Sequence, residues 1–154
     1  MQGLRLGGHP LHPALAHFPV VCWTAAPVLD GLSLLRRDLA FWQVSFWVLT
    51  VGVVIALLTM TAGFMDLLAI PPGHPAQATG QRHMLLVTSA WCVYTIALLV
   101  RRMHEAPSES QLWLGLGLSL GGFALLAAGA YAGAQLVYDF GIGQTGRSPD
   151  PRSP

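Results

Sequence analysis

The sequence predicts an all-α, integral-membrane four-helix up-down bundle, and three observations carry that expectation. Hydrophobic residues make up 53% of the 154-residue chain and charged residues only 10%, far below the ~25% charged content of a soluble domain. Four apolar stretches approach or exceed the roughly 20 residues needed to cross a bilayer. Short polar links join them, which favours antiparallel neighbours. Backbone groups in lipid must be satisfied within their own segment, so the spans are helices rather than open strands.

The elements follow in order. The first span is expected over residues 17–35, after a polar start containing Arg5; this run is long and Pro-studded and does not read as a cleavable leader. Arg36-Arg37-Asp38 closes the first hairpin. The second span is expected over 41–70, ending near Asp66, and Pro71-Pro72-Gly73-His74-Pro75 begins the middle link. The third span is expected over 83–100, with Arg101 through Ser110 as the second hairpin loop, and the fourth over 112–138. Residues 1–143 thus form one four-span domain. Residues 144–154, rich in Gly, Ser, Pro and Arg, read as a disordered tail.

No lysine occurs; all eight basic residues are arginine, and the net charge of +1 gives no basic face for nucleic acid. Arg36, Arg37, Arg101 and Arg102 crowd the hairpin-loop side, so the positive-inside rule puts both termini outside the cytoplasm. His104 falls on the loop side as a solvated residue. An even number of spans then gathers His9, His12, His17, Asp66, His74, His83, Tyr138 and Asp139 at the outer end. The halves also read as two pseudo-repeated hairpins, with His17 and Asp66 matching His83 and Asp139. Such a repeat implies a pseudo-two-fold axis along the membrane normal.

Span two carries Gly52, Ala56, Thr59, Gly63 and Asp66 at four- and three-residue steps, one helical stripe. Small stripes let membrane helices approach closely, so Asp66 is expected on an inward face. No ion pair is expected within the spans, which leaves a histidine as its expected neighbour. Gly117 with Gly121 and Gly129 with Gly133 form small-residue pairs on span four, suited to helix packing or to making room for a flat ligand. Trp42 and Trp113 read as interfacial anchors. Cys22 and Cys92 lie on separate spans and read as apolar packing residues.

Imidazoles at the mouth of membrane helices are functional-site candidates by default. His17 and His83 begin diagonal spans at one depth. With neighbouring helices ~8–10 Å apart, the diagonal is about 11–14 Å, enough for a haem b with two axial imidazoles. Asp66 would orient an imidazole and Arg82 would pair with propionates, as would Arg5. The rival reading is another transition metal held by His17, His83, His9 and His12, and the plainest is no cofactor, with histidines as helix-entry punctuation. His9 and His12 lie in a Pro-punctuated stretch not expected to be regular helix. Tyr138 and Asp139 are candidates to cap the same cavity. No nucleophile–base pair, phosphate loop or dinucleotide fingerprint appears, so a redox carrier is favoured over an enzyme.

The blocks His9-Pro10-Leu-His12-Pro13, His17-Phe18-Pro19, Gly63-Phe-Met-Asp66, His83 and Leu136-Val137-Tyr138-Asp139 with Gly141-Ile142-Gly143 resemble a widespread bacterial family of four-span membrane domains of unknown function. The resemblance covers Gly8 to about Gly143. In that family the domain stands alone or is joined to Rieske or c-type cytochrome modules. The resemblance therefore implies a bacterial inner-membrane setting, an electron-transfer role and a periplasmic Rieske or c-type cytochrome partner. Homo-oligomerisation and membrane anchoring of such redox proteins are the remaining expectations.

Overall fold

The computed structural model of the protein describes residues 4–7, 9–102 and 107–142, with the side chains of residues 5, 6 and 102 excepted. His104, the C-terminal tail and the Arg5 side chain therefore lie outside the described residues. Four helices dominate: α1 (Leu11–Arg36), α2 (Leu39–Leu68), α3 (Ala76–Arg102) and α4 (Glu109–Tyr138). All four are long and apolar enough to cross a membrane. They pack in ring order, so α1 lies diagonal to α3 and α2 to α4, with the closest packing inside the α1–α2 and α3–α4 hairpins. This is the expected up-down bundle.

Each helix has a physical start. α1 begins at Leu11, earlier than the apolar pattern alone places it, because Pro10 is extended and Pro13 sits in the first turn, where a missing N–H costs nothing. A two-residue hairpin, β1 (Arg5–Leu6) with β2 (His9–Pro10), precedes it. The Leu11 N–H donates to the Leu4 carbonyl at 2.9 Å. His12 therefore stands in regular helix, against the expectation for this Pro-punctuated stretch. The Asp38 carboxylate caps α2 by accepting from the Ala40 N–H at 2.8 Å. His74 Nδ1 accepts from the Ala76 N–H at 3.1 Å and so starts α3. Ser108 and Gln111 form a capping box on α4. Past α4, Gly141 takes φ +64° and Ile142 N–H returns to the Leu136 carbonyl at 2.9 Å, a turn that needs glycine.

Helix by helix, the two hairpins align at nearly constant offsets that differ by one residue between the first and second helices. Residues of α3 follow their α1 counterparts by 71 positions, as Tyr94 follows Trp23 and Arg101 follows Asp30. Residues of α4 follow those of α2 by 70, from Gly52 to Gly122, Thr59 to Gly129 and Gly63 to Gly133. In this register His83 corresponds to His12. The expected match of His17 to His83 is replaced, because His17 lies five residues on from His12, about 140° round the helix at ~100° per residue.

Packing corrects three further expectations. Gly117 and Gly121 face open space, whereas Gly115, Gly122, Gly129 and Gly133 meet side chains of other helices closely. Trp42 is buried, not interfacial, while Trp113 is exposed. Arg101 is a helix residue in the core, ion-paired with Asp30, both side chains fully buried. Of the arginines assigned to the loop side, Arg36 and Arg37 are exposed. The lipid-facing surface carries large apolar groups such as Val21, Leu58 and Leu85.

Candidate functional site

One seam on α1 runs through His12, Ala16, Pro19, Trp23, Ala26 and Asp30, stepping alternately by four and three residues. Its counterpart on α3 runs through His83, Val87, Ala90, Tyr94, Ala97 and Arg101 with the same steps. Such a pattern keeps one helix face turned to a partner, so the two seams face each other across the bundle axis. Three layers of polar or aromatic contact result. At the terminal end the His12 and His83 rings meet edge-on, centres 6.1 Å apart and planes at 85°. Further in, Trp23 and Tyr94 stack at 4.9 Å, and the Tyr94 hydroxyl donates to the Trp23 carbonyl at 2.7 Å. Near the far end lies the Asp30–Arg101 pair.

The histidine layer opens into a cavity of about 330 Å³ with walls from all four helices, almost entirely apolar. His12 and His83 enter it from α1 and α3, Trp23 and Leu126 border it inward, and Ile142 borders it beyond α4. Asp66 is the one acidic or basic side chain besides the two histidines lining it among the described residues.

Each ring is anchored in the same way by the second helix of its own hairpin. His12 Nδ1 lies 2.9 Å from the Thr59 carbonyl, and His83 Nδ1 lies 2.8 Å from the Gly129 carbonyl. A carbonyl only accepts, so Nδ1 carries the proton in both rings. In the neutral imidazole the lone pair is then on Nε2. This is the arrangement that orients a metal-ligating histidine and raises its basicity. Glycines make the approach feasible. A Cβ on Gly63 would come within 2.8 Å of His12 Nδ1, and one on Gly133 within 3.0 Å of the His83 ring. The inward small-residue stripe on α2 therefore stands as expected, with Gly52 against Trp23 and Gly63 against His12.

The remaining candidates are placed elsewhere. His17 and Arg82 are exposed on α1 and α3. His9 is exposed, its Nδ1 3.1 Å from the Gly7 carbonyl. His74 caps α3 and meets Phe140 edge-on at 6.4 Å. Tyr138 and Asp139 are exposed and do not border the cavity. Asp66 Oδ1 accepts from the Leu4 N–H at 3.1 Å, tying the chain start to α2, rather than binding a histidine. Among the described residues, no group of three or more His, Cys, Asp or Glu is placed to hold a metal ion. The site is a two-imidazole site.

Trp23, Tyr94 and the carbonyls of Thr59 and Gly129 were not among the sequence candidates. The matching four- and three-residue steps in α1 and α3 are the signal that identifies the first two. The carbonyls carry no side-chain signature at all.

The model of a family described as Predicted membrane protein (DUF2231) matches residues 8–146. No curated protein and no solved structure matches the chain.

Proposed function

The chain belongs to that family of membrane domains of unknown function, and we propose that it is an electron-transfer protein holding haem b between His12 and His83. The entry of two imidazoles, each anchored through Nδ1 to a carbonyl of the neighbouring helix, into one apolar cavity supports the reading. His12 takes the place expected for His17. Both rings enter one apolar cavity bounded by all four helices.

Each part of the chain then has a task. The Thr59 and Gly129 carbonyls accept the Nδ1 protons, which would leave the Nε2 lone pairs of His12 and His83 to hold the group. Gly63 and Gly133 leave space for the rings. The apolar wall would surround the group with low-dielectric side chains and so tune its potential. Arg82, exposed and next to His83 in sequence, would be the residue to pair with propionates. Bound haem supplies a one-electron couple. A bare transition metal is the weaker reading, because two imidazoles with no third ligand among the described residues suit a macrocycle that fills the other positions itself. The exposed Arg36 and Arg37 favour a cytoplasmic loop end, hence a periplasmic histidine end in a bacterial inner membrane. A periplasmic Rieske or c-type cytochrome would then exchange electrons there.

The test is a visible absorption spectrum of detergent-purified protein, as isolated and after dithionite, with haem supplied during expression. Wild type and His17→Ala should show a Soret band that sharpens on reduction. His12→Ala and His83→Ala should lose it. A featureless wild-type spectrum refutes haem binding, and retention of the band in both His12→Ala and His83→Ala refutes the ligand assignment.

A further inference from the structure

We propose that the buried Asp30–Arg101 pair is a pairing key: it makes the first hairpin close on the second rather than on a second copy of itself. One chain thereby builds one complete His12–His83 cavity. The inference does not depend on what the cavity binds.

Apart from the charged positions, the two halves carry apolar or like residues along the axial seam, with Ala16 against Val87 and Pro19 against Ala90 as the differences. Glycines recur at matching positions of α2 and α4. His12 corresponds to His83, Ala26 to Ala97, Gly52 to Gly122 and Gly63 to Gly133, and Trp23 corresponds to another ring, Tyr94. Two copies of either hairpin would therefore still present an axial histidine with a glycine behind it. The axis positions 30 and 101 break this equivalence with opposite charges. Pairing first hairpin with first would bury Asp30 against Asp30, and second with second would bury Arg101 against Arg101. Uncompensated charge inside a membrane bundle is strongly unfavourable. A single buried polar position that dictates which helices pair is the best-attested use of such groups.

The local asymmetry clusters around the arginine. Trp42 lies under the Arg101 guanidinium at 4.6 Å, where the second hairpin has Leu112 at the equivalent position. Ser119 donates to Asp30 Oδ2 at 2.5 Å and accepts from Arg101 Nη2 at 3.3 Å, where the first hairpin has Leu49. Gly115 leaves room for the arginine head, since a Cβ there would meet Trp42 at 2.5 Å and Arg101 Nη2 at 3.4 Å; its counterpart is Ser45. Arg101 also donates to the Ala97 carbonyl one turn back at 2.8 Å. The matching Ala26 carbonyl would serve an arginine at position 30. The charges can thus be exchanged while the backbone partner is kept.

The experiment uses the full chain with Asp30→Arg, Arg101→Asp and the exchanged double variant, each purified in detergent. Size-exclusion chromatography with light scattering reads oligomeric state, and thermal scanning reads the unfolding midpoint; neither requires a cofactor. Both single variants should lose the wild-type monomer peak. The double variant should regain it, with a midpoint between the singles and wild type because Trp42 and Ser119 stay on the wrong side. Co-expressing the two single variants under different tags should yield a heterodimer, since each like-charged hairpin then finds an opposite charge in the other chain. Wild-type behaviour of either single variant, a double variant no better than the worse single, or no heterodimer on co-expression would each overturn the proposal.

Discussion

Adjacent glycines on α4 should respond in opposite directions to the same substitution. Gly122 faces Tyr94, and a Cβ there would lie 2.8 Å from two ring carbons and 3.1 Å from a third. The ring cannot step aside, because it stacks on Trp23 at 4.9 Å and its hydroxyl is held at 2.7 Å. Overpacking of a tight contact costs about 1–3 kcal/mol, while Gly→Ala in a helix returns up to ~1 kcal/mol. Gly122→Ala should therefore lose about 1–2 kcal/mol, roughly five- to thirtyfold in the unfolding equilibrium. Gly121 has nothing within 4 Å of its added Cβ, so Gly121→Ala keeps the helix gain alone and should be neutral or stabilised by up to ~1 kcal/mol. Denaturant titration in mixed detergent, followed by tryptophan fluorescence, measures both. A Gly122→Ala variant as stable as Gly121→Ala would refute the assignment of the closely packed face.

Other changes probe the site and the helix ends. Gly63→Ala and Gly133→Ala should displace the His12 and His83 rings and shift or abolish the visible spectrum, with Gly117→Ala, which faces open space, leaving it unchanged. Asp66→Ala removes the acceptor for the Leu4 N–H. It should accelerate hydrogen exchange at the chain start while leaving the α2 interior protected, with an effect on global stability of no more than about 1 kcal/mol. Ser108→Ala breaks the capping box of α4 and should lower stability by about 0.5–2 kcal/mol in the same titration, with Ser108→Thr restoring most of it.

The number, order and antiparallel packing of the spans were legible from composition and apolar run length, because lipid leaves a chain few structural options. Helix starts were less legible. α1 and α3 begin several residues before their apolar runs, since Pro13 is tolerated in a first turn and His74 caps from outside the helix. The inward stripe of α2 from Gly52 to Asp66 was readable, as four- and three-residue steps mark one helix face whatever lies opposite.

The sequence by itself determined a four-span membrane bundle with five of its six histidines expected at one end, because hydropathy and span parity are local, countable properties. Tertiary structure alone decided which histidine faces His83. His12 and His17 are chemically alike and near in sequence, and only the register of α1 against α3 turns one inward and the other out. It also decided that Arg101 belongs to the core. A terminal arginine reads as a loop charge until Asp30, on a diagonal helix, supplies the countercharge that makes its burial tolerable.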